Sequence, residues 1–140
     1  MTAQDQTAPN ALAEKVKSAV LSQFSAWATF VEINEEGDLE IAVPAPSGSK
    51  AGSLVIATEN GADMWIRFSP PYMAYPVENE QELLDIVKQL LAERASFAVI
   101  MEGEEWKETT LAIPNEIPEI QPGQTAQVVS WFGTYDREVA

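Results

Sequence analysis

The chain has no histidine and no cysteine, and only 8 of its 140 residues are Lys or Arg. Each absence removes a class of chemistry. Without thiols there is no disulfide, zinc–thiolate site or cysteine nucleophile. Without imidazole there is no histidine base, acid or metal ligand. Set against 22 Asp and Glu, the few bases leave a formal charge of -14. Nucleic acid and anionic membrane surfaces bind through Lys and Arg that displace counterions, so neither is an expected partner. No apolar run reaches the roughly 18 residues that a membrane-spanning helix needs. Met1 to Asn10 carry no base, and Glu14, Lys15 and Lys17 break the apolar stretch that follows, which is unlike a signal peptide. With cysteine also absent, the expected compartment is the cytoplasm.

What is present suits one domain. Hydrophobic residues make up 46% of the chain, and a domain of about 150 residues buries roughly 68 to 70% of its unfolded surface, enough for a core without staples. The expectation is a single domain over residues 1–140, with 1–9 a disordered tail. Pro9, then Pro44 with Pro46, Pro70 with Pro71 and Pro76, and Pro114 with Pro118 and Pro122 punctuate the chain, since proline lacks an N–H and biases the preceding residue away from helix.

Leu12, Val16, Val20, Phe24 and Trp27 recur at steps of four and three, predicting a helix from about Ala8 to Ala26 capped by Asn10 or Thr7. From Thr29 the period becomes two. Phe30 to Asn34 and Leu39 to Val43 read as a hairpin around Glu35-Glu36-Gly37-Asp38, and Leu54 to Thr58 with Asp63 to Phe68 as a second around Asn60-Gly61. Asn79 with Glu82 resembles a capping box that opens a second helix, with Leu83, Leu84, Val87, Leu90 and Leu91 as its apolar face. The continuous run Phe97 to Met101 predicts a central strand buried on both faces. Glu102-Gly103-Glu104-Glu105 turns into a strand over Trp106 to Ile113. Asn115 to Gln124 is irregular, Thr125 to Trp131 is a further strand, and Tyr135 to Val139 a short addition. The expected class is α+β: a mainly antiparallel sheet of about six to seven strands, with an N-terminal helix and a second helix packed on it.

The charge is unevenly placed. Met1 to Val31 hold two acids and two bases, so the whole excess lies in the remaining residues. It gathers at the first hairpin (Glu32, Glu35, Glu36, Asp38, Glu40), at the start of the second helix (Glu78, Glu80, Glu82, Asp85) and around the later turn (Glu102, Glu104, Glu105, Glu108). Carboxylates in a first helical turn complement its dipole by about 0.3 to 1 kcal/mol each, a structural reading for the second cluster. For the two hairpins, a merely solubilising surface competes with a docking surface for a cationic protein.

Catalytic alternatives find no support in the residues. Adjacent carboxylates such as Glu35 with Glu36 cannot flank a glycoside across the roughly 5 to 9.5 Å that hydrolysis needs. The stretch Asn34 to Glu40 lacks the alternating ligands of a calcium loop, and no P-loop, dinucleotide fingerprint or nucleophile elbow occurs. No cofactor and no metal is expected. Among the aromatics, Phe24, Trp27, Phe68 and Phe97 are assigned to the core, while Trp106 and Trp131 fit core or rim. Tyr72 and Tyr75, in the loop Ser69-Pro70-Pro71-Tyr72-Met73-Ala74-Tyr75-Pro76, are candidate interface anchors.

The succession of an N-terminal amphipathic helix, Phe30-Val31-Glu32-Ile33-Asn34-Glu35-Glu36-Gly37, a strand to Pro44, the Asn60-Gly61 hairpin with Trp65-Ile66-Arg67-Phe68, an aromatic Pro-Tyr loop and a Glu-Leu-Leu helix resembles small acidic immunity proteins of bacterial polymorphic toxin and type VI secretion systems. The resemblance covers most of residues 10–135. It implies a cytoplasmic protein without enzymatic activity that binds and blocks a cognate toxin domain, and the acidic loops would suit a toxin with a basic nucleic-acid or nucleotide cleft. The toxin-binding candidates are Glu35, Glu36, Asp38, Glu40, Tyr72, Tyr75, Glu102, Glu104, Glu105 and Trp106. An acidic chaperone of the type III secretion kind, holding an effector segment on apolar patches, is the alternative.

Overall fold

The first helix begins where a side chain can satisfy its free backbone donors. In the computed structural model, which describes residues 8–68, 74–114 and 116–140, the Asn10 side chain accepts a hydrogen bond from the Ala13 N–H at 2.9 Å. Thr7, the other candidate cap, lies outside the described residues. Helix α1 spans Ala11–Gln23 and turns Ala13, Val16 and Val20 fully inward. It is shorter than its apolar period suggests because Phe24 leaves helical geometry. The chain tightens into a 3₁₀ helix over Ser25–Phe30, with the Phe24 and Trp27 rings stacked 4.2 Å apart. Both aromatics pack on the core while remaining partly exposed.

Strands β1 (Val31–Ile33), β2 (Leu39–Pro44), β3 (Ser53–Glu59), β4 (Asp63–Phe68) and β5 (Tyr75–Val77) pair in chain order as an antiparallel five-stranded meander. Asn60 and Gly61 both adopt positive φ, 55° and 66°, as the turn between β3 and β4 requires. Helix α2 (Glu80–Leu91) follows, opened by the expected cap: Asn79 accepts from the Glu82 N–H at 2.8 Å, and Glu82 accepts in return from the Glu78 N–H at 3.1 Å. Its buried face is Leu83, Ile86, Val87 and Leu90. Leu84 and Leu91 lie at the margin of that face, and Ile86 belongs to it although the sequence reading left it out.

The second sheet comprises β6 (Ser96–Glu102), β7 (Glu105–Ala112), β8 (Gln124–Val129) and β9 (Arg137–Val139), in the order β7-β6-β8-β9 and antiparallel throughout. As expected of a continuous apolar run, β6 is central, and Phe97, Ala98, Val99 and Ile100 are all buried. The class is therefore α+β and antiparallel, with nine strands divided between two sheets where the sequence predicted six or seven in one. A period of two identifies strands but not their partners. Strand β5 escaped because it is three residues long and contains Pro76.

One core joins the layers. The inner face of the meander (Leu39, Ile41, Leu54, Ile56, Ile66, Phe68) meets both helices and receives Phe97 and Val129 from the second sheet and Trp131 from the segment just after β8. Phe68 packs edge-on against Phe97 with centroids 5.0 Å apart and lies 6.0 Å from Trp131, which settles Trp131 as core. Burying such side chains contributes about 1.5 to 3 kcal/mol each. On the opposite side of the second sheet Ala98, Ala112 and Val128 form a small separate cluster. No helix among the described residues is long and apolar enough to cross a membrane.

Candidate acidic binding surface

The loop between β1 and β2 is shaped by Asn34, whose side-chain oxygen accepts from the N–H groups of Glu36 and Asp38, each at 2.9 Å. Gly37 sits at φ 82°, and a Cβ there would lie 2.9 Å from the Ala8 carbonyl, so only glycine lets the loop lie against the start of α1. This geometry sends Glu35 and Glu36 outward and Asp38 inward.

Asp38 is 5% exposed, and its carboxylate accepts four hydrogen bonds. They come from Asn10 Nδ2 at 2.9 Å, Asn60 N–H at 2.8 Å, Gly61 N–H at 3.0 Å and Thr58 Oγ1 at 3.3 Å. Burial alone raises a carboxyl pKa. Here the hydrogen bonds from Asn10, Gly61, Asn60 and Thr58 together outweigh it and hold Asp38 below the ordinary 3.8. Thr58 Oγ1 in turn accepts from the Leu39 N–H at 2.9 Å. Asp38 therefore clamps the helix cap to two turns, and of the acids grouped in this hairpin it alone faces inward. The sequence offered Asn10 as a cap, Asn60-Gly61 as a turn and Asp38 as a surface acid. Nothing in their spacing announced that they meet.

Most of the outward charges have no ion-pair partner among the described residues, Glu105 with Lys107 at 3.2 Å being an exception. Glu32 and Glu40 stand directly opposite each other across β1 and β2, both exposed. Glu59 opposes Asp63 at the end of the β3–β4 hairpin, and Glu102 opposes Glu105 at the β6–β7 turn. Directly opposed like charges are destabilising, on the scale of about 0.2 to 1 kcal/mol that cross-strand pairs carry. Glu104 is exposed at the tip of the β6–β7 turn beside Gly103, whose φ is 64°. The register slips between Ile100 and Met101 so that Trp106 faces Met101. Trp106 is 39% exposed, with its indole N–H donating to Thr109 Oγ1 at 3.1 Å.

The structure does not bring all of the candidates together. Glu35, Glu36 and Glu40 belong to the first sheet, whereas Glu102, Glu104, Glu105 and Trp106 belong to the second, and among the described residues no ion pair joins the two groups. Tyr72 lies outside the described residues. Tyr75 is partly buried on β5, its ring 6.1 Å from that of Phe97, so much of its surface is spent on the core. The acids that open α2 act within the fold: Glu82 completes the cap, and Glu80 pairs with Lys15 of α1 at 3.1 Å. Burial raises the Glu80 pKa, but its own backbone N–H and Lys15 lower it further, leaving a net depression.

A second inward-turned acid went unsuspected. Glu93, at φ 54° just past α2, accepts from Phe132 N–H at 3.1 Å, Thr134 N–H at 3.3 Å and Thr134 Oγ1 at 2.6 Å. Its partial burial raises its pKa, and the bonds from Thr134, Ser130 and Phe132 more than reverse that. Asp136 accepts from the Ser130 N–H at 2.7 Å in the same loop. No group of three or more acids among the described residues is arranged to hold a metal ion.

No family model, curated protein or solved structure matches this chain. Its function therefore rests on its own geometry and charge.

Proposed function

We propose that this chain is a binding protein that captures a cationic partner protein and blocks it, as an immunity protein does a toxin domain with a basic nucleic-acid or nucleotide cleft. The observation that carries this reading is the set of like-charged pairs, Glu32 with Glu40, Glu59 with Asp63 and Glu102 with Glu105, displayed at strand ends and hairpin turns. The chain's own bases do little to neutralise them. Among the described residues only Lys15–Glu80 and Lys107–Glu105 form ion pairs. Arg67 lies 5.4 Å over the Trp65 ring, and Arg137 donates to the carbonyls of Tyr135 and Glu116.

Uncompensated charge disfavours a compact state, and a cationic surface laid over these pairs relieves the repulsion on association. The same field accelerates encounter, while half-exposed anchors such as Trp106 slow release. Action in the cytoplasm, without cofactor or catalysis, belongs to this reading. The test is co-expression with the product of the adjacent gene: growth of a host otherwise killed by that product is expected, and continued killing sinks the proposal.

A further inference from the structure

The outer face of the second sheet carries a trough that the acidic turns do not explain. Strand register places Ile100, Glu108, Thr110 and Ala112 on one face of β6 and β7, opposite the face that meets the core through Phe97 and Leu111. The connection between β7 and β8 borders that face, since Glu116 to Glu119 and Gln121 line one space with Ile100, Glu108, Thr110 and Ala112. Pro118 and Pro122 lack the N–H groups with which this segment could join the sheet as a strand, and it forms a non-strand flap at the edge of that space. Between flap and sheet is a space of 580 Å³ with Ile100 and Ala112 at its base, Glu108, Glu116 and Glu119 around it, Ile117 on the flap, and no Lys or Arg in its lining. Ligand sites typically occupy about 300 to 1,000 Å³.

Two properties of the trough point to the same occupant. Its base carries Ile100 and Ala112, themselves buried, beside Thr110, and its flap bears Ile117, 79% exposed, among Glu116, Glu119 and Gln121. An apolar side chain entering the trough would cover Ile117, which the free chain leaves wet. Its walls repel each other: Glu108 on the sheet faces Glu116 and Glu119 on the flap, so like charge opposes collapse of the flap onto the sheet. The neighbouring cation, Arg137, spends its guanidinium on backbone carbonyls and leaves these carboxylates unpaired by it.

We propose that the trough takes an extended peptide segment of the partner in which Lys or Arg alternates with an apolar side chain. Alternation is what an extended segment needs in order to place one set of side chains against Ile117 while the other reaches the carboxylates of Glu108, Glu116 and Glu119. This rests on the reading of the chain as an acidic binding protein and assigns that reading a specific docking site.

The experiment is fluorescence anisotropy of the full chain with a short labelled peptide alternating arginine and leucine, beside one alternating arginine with glycine and one alternating glutamine with leucine. Saturable binding of the first is expected, with each of the others weaker by about tenfold because each lacks one of the two complementary features. The double variant Glu108→Lys with Glu119→Lys should weaken binding by about tenfold or more, while Glu35→Lys with Glu36→Lys, the same change in net charge, should alter it by less than about threefold. Ile117→Ser removes an exposed side chain without disturbing the core and should also weaken it, and unchanged melting temperatures confirm that the variants fold. Equal losses from the two charge-reversed pairs, equal affinity for the arginine–glycine peptide, or no saturable binding would each overturn the trough as a site. A toxin whose affinity is indifferent to Glu108→Lys with Glu119→Lys overturns the trough and leaves the inhibitor reading standing. Selective peptide binding by a chain that fails to rescue growth does the reverse.

Discussion

Asp38 shows how one carboxylate can be read in two opposite ways. In sequence it belongs to an acidic loop, and in the fold it is the acceptor on which Asn10, Thr58, Asn60 and Gly61 converge. Asp38→Asn keeps the shape but turns an NH₂ group towards the Asn60 N–H, which then has no acceptor. The expected loss of stability is about 1 to 3 kcal/mol, measured by urea unfolding. Because the folded pKa of Asp38 is depressed, its stabilisation is complete above the unfolded value, near 3.8, and is lost as pH falls through the lower folded value. The gap between the wild-type chain and Asp38→Asn should thus be full at about pH 6 and close progressively below about pH 4, and a gap independent of pH would contradict this account. Gly37 and Gly61 complete the same clamp, Gly61 by its N–H and Gly37 by letting the loop approach Ala8.

Helix α2 is the element most fully written in its own residues. Asn79, Glu82 and the spacing of Leu83, Val87 and Leu90 specify its start and its inward face, and no distant partner is needed to place them. Asn79→Ala should therefore cost about 1 kcal/mol in unfolding experiments, with the fold retained. Helix α1 was less legible at its end. The apolar step of three or four continues through Phe24 to Trp27, and the stacked rings of that pair fit a tighter turn as well as a continued helix. Strands were legible where local alternation or a turn pair marked them, as in β2 to β4, and in β6 where a buried run stood out. What local pattern could not carry was partnership: that β8 pairs with β6 and not with β7, that Trp131 reaches Phe68, and that the acids of two hairpins end in different sheets. Those facts are set by contacts between residues far apart in sequence, where no periodicity records them. Glu93 illustrates the limit, because its role depends on a loop some forty residues away.

At the scale of the molecule, the layout separates two jobs. The meander, both helices and the inner face of the second sheet share one core, while the hairpin ends and the outer face of β6 and β7 carry acids of which, among the described residues, only Glu105 forms an ion pair. Connectivity also orders these parts in time. Every neighbouring pair in the meander is adjacent along the chain, so that sheet can zip by successive short hairpins. By contrast, β8 reaches β6 only by closing a span as wide as Phe97 to Val129, and long-range pairing of this kind is slow because loop closure must precede its contacts. Pulse-labelling hydrogen exchange during refolding should protect the amides of β2 and β3 before those shared by β6 and β8, and simultaneous protection would argue against this order. The flap bordering the trough is the chain inside that closing loop. A nascent molecule would therefore display the acids of its first hairpin before the space between β6, β7 and the flap has formed.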